Sequence, residues 1–107
     1  MTTVQVWRDE KGVTGLKVKG HAGYAEEGSD IVCAAASILI TTCANALQSV
    51  ADVSPVLEIK EQPAVIAVDL PDGLPTAKDH DARIILETTL QGFKDVAAQY
   101  PRYLQII

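Results

Sequence analysis

The chain of 107 residues carries nine lysines and arginines against fourteen aspartates and glutamates, for a net charge of −5, and 48% of its residues are hydrophobic. That length and apolar share make one domain, residues 1–107, able to bury roughly two thirds of its unfolded surface, with no room for a second. The acidic balance has the wrong sign for a phosphate backbone and excludes nucleic acid as the expected partner. A basic-then-apolar leader and a run of about 18 uninterrupted apolar residues are both missing, so the expectation is a cytoplasmic protein with no membrane partner.

In chain order, Thr3 to Arg8 alternate, with Val4 and Val6 on one face and Gln5 and Trp7 on the other, the pattern of a half-buried strand. Asp9-Glu10-Lys11-Gly12 turns the chain, Gly12 supplying the positive φ that a short hairpin loop commonly needs. Val13 to Lys19 returns with Leu16 and Val18 facing together, and delivers Gly20 and His21 at its end. Trp7 reads as a packing or interface residue. Ala22 to Gly28, with Tyr24, Glu26 and Glu27, has no apolar periodicity and reads as a surface loop and a candidate lid.

Ser29 or Asp30 then caps a helix running from Ile31 to about Ala51, because a side-chain oxygen there accepts a hydrogen bond from an otherwise unpaired backbone amide. Cys33 is expected in its first turn, where free N–H groups and aligned peptide dipoles favour negative charge, the state in which a cysteine attacks. Val32, Ala35, Leu39 and Ala46 on one side are matched by Ala34, Ile38 and Leu47 elsewhere. Such a helix, apolar nearly all round, is expected to pack on the sheet and to be covered by a second helix or a partner subunit. Cys33 and Cys43 are separated by about 15 Å along this helix, too far for a disulfide, and Cys43 reads as core.

Asp52 to Pro55 breaks the helix. Val56 to Gln62 alternates as a strand, and Ala64 to Leu70 is continuously apolar, as suits a central strand buried on both faces. After the turn Pro71-Asp72-Gly73-Leu74-Pro75, Asp79 is the expected N-cap of a second helix reaching about Ala98, its inner face Ala82, Ile85, Leu86, Thr89, Phe93 and Val96. His80 sits in the polar first turn and reads as a solvated helix end. Tyr100-Pro101 stops the helix, and Arg102 to Ile107 forms a last strand. The order strand-strand-helix-strand-strand-helix-strand predicts an α+β fold, a mixed five-stranded sheet with two helices packed on one face. Half-apolar elements left uncovered predict a homodimer.

A histidine at the end of a strand, a glycine-framed loop and a cysteine at a helix start are the minimum equipment for thiol nucleophilic catalysis. The plain alternative is a core cysteine and a structural histidine in a binding module. Two histidines and two cysteines without ligand spacing imply neither metal nor cofactor.

The strings Gly20-His21-Ala22, Gly28-Ser29-Asp30-Ile31-Val32-Cys33-Ala34-Ala35 and Ser37 resemble the signature of the ribosomal-processing cysteine protease family, Prp. Tyr100-Pro101-Arg102-Tyr103 resembles that family's ending, so the likeness spans the chain. Ala36 departs from it, standing where valine or glycine is more usual. The resemblance implies that His21 and Cys33 are the catalytic pair, with Gly20, Ala22, Tyr24, Gly28, Asp30 and Ser37 as candidate substrate-binding residues. Asp30 is best read as a helix cap, with a carboxylate orienting His21 as the sharper alternative, and the Ser37 hydroxyl reads first as bonded to its own helix. The implied activity is removal of an amino-terminal extension from large-subunit ribosomal protein number twenty-seven, cut after an aromatic residue. Alternatives are a non-catalytic ribosome-assembly or protein-binding module, and a thiol hydrolase acting on a small ester.

Overall fold

A computed structural model describes residues 1–20, 29–61 and 63–107, with Ser29 and Asp30 described by their backbone. β1 (Thr2–Asp9) and β2 (Gly12–Gly20) form the expected hairpin. Its two-residue tip is held by Gly12 at φ +125 and by the Lys11 N–H, which donates to Asp9 Oδ1 over 2.8 Å. The pairing shifts between Trp7, opposite Gly15, and Arg8, opposite Val13, leaving Thr14 as the extra residue of a bulge. Strict alternation would set Val13 on the face away from Leu16. The bulge reverses its direction, and Val13, Leu16 and Val18 all reach the core.

α1 (Ser29–Ser49) buries Val32, Ala36, Ile40, Cys43 and Leu47, a stripe at helical spacing. The expectation of burial all round is corrected, because Ile31 and Ile38 on the opposite side are 56% and 67% exposed. Residues Ile31–Ser49, of mean hydropathy 1.7, also reach the length and apolarity of a spanning helix, which the sequence was not expected to contain. In this fold that apolarity supplies the core stripe. The helix ends two residues earlier than expected: the Val50 N–H donates to Ala46 O, the Val53 N–H to Leu47 O, and Asp52 takes φ +55, a left-handed turn that aspartate tolerates.

β3 (Val56–Glu61) and β4 (Ala64–Asp69) form a second hairpin, and Gln62, expected to end the first of these strands, lies outside the described residues. The sheet order is β3-β4-β2-β1-β5, antiparallel except where β1 meets β5 (Leu104–Ile106) in parallel. β4 is an interior strand, next to the β3 edge, and is buried on both faces, as its continuous apolarity predicts. Val68 faces the helices at 0% exposure, while Ala67 on the other face is 5% exposed beneath Lys17 and Glu58, its two cross-strand neighbours, which pair over it at 3.4 Å.

α2 (Thr76–Gln99) packs against α1 and the same sheet face, burying Ala82, Leu86, Thr89, Leu90 and Phe93. Asp79 is not its N-cap. The cap is Pro75, four residues earlier, whose ψ of 147 leads into the first turn, and the Asp79 N–H already donates to Pro75 O over 2.9 Å. The Asp79 carboxylate instead accepts from Arg83 Nε at 2.9 Å. Arg83 also grips Asp9 at the tip of the first hairpin, with Nη2 to Oδ2 at 2.9 Å, and Glu87 accepts the Val13 N–H at 3.2 Å. The α2 surface thereby clasps the hairpin tip. The Arg83 hydrogen bond pulls the Asp9 carboxyl down to about 2, and the Asp9 hydrogen bond holds the guanidinium charged well beyond its usual range. His80 is exposed, with Nδ1 3.2 Å from Asp81 Oδ1, as expected of a solvated helix end. Tyr100 precedes Pro101, which disfavours helical backbone at Tyr100, and the helix stops there with the Tyr100 N–H on Val96 O.

Candidate active site

Because α1 starts at Ser29, Cys33 is its fifth residue. It therefore stands at the head of the second turn and not, as expected, in the first. The amides of Ser29, Asp30 and Ile31, in the turn beneath it, have no acceptor within the described helix. Ser29 and Asp30 both have helical backbone, so neither holds the capping position expected of it. His21, Ala22, Tyr24 and the proposed lid from Ala22 to Gly28 lie outside the described residues.

Cys33 is half-buried and opens on a groove of about 410 Å³ between α1 and the sheet. Cys33, Ala36, Ser37 and Ile40 form its helical wall at successive turns. Its floor is the end of β2, at Val18 and Gly20, with Ala64 and Ile66 of β4 beside them. The far wall is the last part of β3, where Ile59 pairs with Ile66 and is 67% exposed, followed by Lys60 and Glu61 at the rim. Of the residues expected from sequence, the structure thus brings Cys33, Gly20 and Ser37 to one groove. Gly20 immediately precedes His21 in the chain.

Sequence reasoning missed Thr2, Ile59, Ala64 and Ile66. The alternation of β3 signals that Ile59 faces the helix side, but which strand neighbours β2 is a matter of topology that no local pattern carries. Thr2 Oγ1 lies 3.8 Å from Cys33 Sγ, placed there by the parallel pairing of Thr2 with Leu104. Cys33 and Cys43 are not joined by a disulfide, as expected. Burial pushes the Cys43 thiol up, partly offset by a hydrogen bond with Thr89, so it is a core group held in its neutral form.

A thiol at the edge of a mostly apolar groove, with a strand end across from it, can receive an extended apolar chain and attack a carbonyl placed over the helix start. Known proteins share this framework. A curated relative, the ribosomal processing cysteine protease Prp of Bacillus subtilis (strain 168), is 26% identical over 97 residues, 91% of this chain and 87% of its own. The ribosomal processing protease Prp of S. aureus, solved in complex with a substrate peptide, superposes with a TM-score of 0.88 at 26% identity, covering 100% of this chain and 98% of that one. The same S. aureus protease with a covalently linked product peptide gives a TM-score of 0.83 at 26% identity, over 99% and 97% of the two chains. The family model described as Cysteine protease Prp matches residues 1–105, nearly the whole chain. A cysteine-bearing groove in a five-stranded α+β frame, matched along its length in this way, makes the chain a cysteine protease and a member of the Prp family.

Proposed function

We propose that the chain removes the amino-terminal extension of large-subunit ribosomal protein number twenty-seven, with Cys33 as nucleophile and His21 as its acid and base. The observation that carries this reading is the Cys33 thiol opening on the apolar groove whose floor ends at Gly20, one residue before His21. His21 takes the thiol proton and the sulfur adds to the carbonyl carbon. As the C–N bond breaks, His21 returns the proton to the departing amine. Water then splits the thioester, its hydroxyl going to the acyl group and its proton back to the sulfur. The free amides at the start of α1 would face the developing oxyanion. Gly20 and Ser37 line the groove and would flank the peptide, with Ala22, Tyr24, Gly28 and Asp30 as further candidate contacts.

The ribosomal substrate is supported by the names of the relatives and by the motif, and an apolar groove suits an apolar or aromatic side chain before the cut. The same reading includes a cytoplasmic homodimer, supported by exposed Ile31, Ile38 and Leu57, and no role for nucleic acid, supported by the net charge of −5.

The test is mass spectrometry of the extended ribosomal protein after incubation with this chain and with a folded Cys33→Ala variant. Cleavage at a single site by the parent only is the expected result. Cleavage by neither would return the chain to the class of binding modules.

A further inference from the structure

Thr2 and Thr89 are the buried polar side chains among the described residues, 3% and 7% exposed. A buried hydroxyl needs a partner, because leaving it unpaired forfeits its hydration. Thr89 donates within its own helix to Ile85 O at 2.8 Å, with the core thiol of Cys43 also bonded to it. Thr2 Oγ1 instead faces the sulfur of Cys33 at 3.8 Å, across 31 residues of sequence.

We propose that Thr2 is a positioning residue for the nucleophile, its hydroxyl donating to the Cys33 thiolate and holding the sulfur at the mouth of the groove. This rests on the reading of Cys33 as nucleophile. With a neutral thiol either atom can donate. Once the sulfur is deprotonated it is an acceptor only, so the hydrogen bond acquires one direction and becomes charge-assisted. A donor strengthens such a site most when it is fixed before the charge forms. Thr2 is fixed twice over: its N–H donates to Tyr103 O at 2.8 Å and its backbone pairs with Leu104, while its branched Cβ restricts the rotamer. Thr3, the next residue, pairs with Lys19 of β2, so the same strand is locked from its other side. The C-terminal strand therefore reaches the thiol through one residue of β1, a link that no motif around Cys33 contains.

The experiment compares Thr2→Val, which keeps the shape and loses the hydroxyl, with Thr2→Ser, which keeps the hydroxyl and loses the methyl. Alkylation of Cys33 by iodoacetamide is followed by peptide mass spectrometry across pH, and kcat and KM are measured on a peptide spanning the cleavage junction. Thr2→Val is expected to move the midpoint of the alkylation profile up by about half a unit to one unit and to lower kcat with little change in KM, whereas Thr2→Ser keeps the parent profile. Thr2→Ala supplies a second hydroxyl-free variant should the valine fail to fold, with the same upward shift expected. A Thr2→Val profile superimposable on the parent, or an equal shift in Thr2→Ser, overturns the proposal. A shifted alkylation profile in a chain that cleaves no peptide upholds the Thr2 contact and removes the protease reading, so the two fail separately.

Discussion

Replacing Ile59 by threonine tests whether the groove beside Cys33 binds the substrate. Ile59 stands on the far wall, keeps 67% of its surface exposed, and belongs to an edge strand, so it contributes little to the core. Full burial of an isoleucine side chain contributes about 1.5–3 kcal/mol. A peptide covering the exposed two thirds would gain about 1–2 kcal/mol from it, which is roughly 5- to 30-fold in binding. Threonine keeps the branched Cβ that suits a strand and removes most of the apolar reach. The expected result is a fall in kcat/KM of that size, carried chiefly by KM, with the melting temperature unchanged. An unaltered kcat/KM in a folded Ile59→Thr protein would refute the placement of the peptide along this wall.

His21→Ala should lower turnover by roughly 10²–10⁴ while circular dichroism is unchanged, as for loss of a general acid and base. In acid, Asp9 is depressed to about 2 while an unfolded aspartate titrates near 4, so its contribution is complete above about pH 4 and is lost as the pH falls toward 2. Arg83→Met removes the cause, and its acid-unfolding midpoint should lie at higher pH than that of the parent. A Cβ at position 15 would overlap the Asp69 carboxylate, so Gly15→Ala should cost about 1–3 kcal/mol in urea unfolding, partly recovered when combined with Asp69→Ala. Under native conditions iodoacetamide should label Cys33 well before Cys43, whose thiol is buried and pushed up; equal rates would contradict the core assignment.

The elements were legible because their periods are clean. Val4 and Val6 alternate against Gln5 and Trp7, and Ala82, Leu86, Thr89 and Phe93 recur at helical spacing, and each set lies where its period puts it. The boundaries were less legible where two physical demands compete. Asp79 is a good cap in isolation, but Pro75 can open the helix earlier, and the Asp79 carboxylate is then drawn to Arg83 four residues on. Val13 defies strict alternation because the bulge at Thr14 leaves no local signature. At the site, the glycine-framed cysteine identified one wall of the groove from sequence. The other wall and Thr2 depend on strand order and on a parallel pair closed over about a hundred residues, which periodicity does not encode.

The pairing of β1 with β5 joins segments about a hundred residues apart and orders the assembly of the sheet. A ribosome that has made residues through Gln99 has made both helices and four of the five strands, yet the outer edge of β1 still lacks its neighbour. Thr2 then has neither the Tyr103 carbonyl nor Leu104 beside it, and the alignment of its hydroxyl with the Cys33 sulfur is not yet imposed. β1 waits for β5, a closure between distant segments that folds slowly compared with local contacts. The walls and floor of the groove come from α1, β2, β3 and β4, so they need nothing from β5, and it is the Thr2 contact with the thiol that depends on that closure.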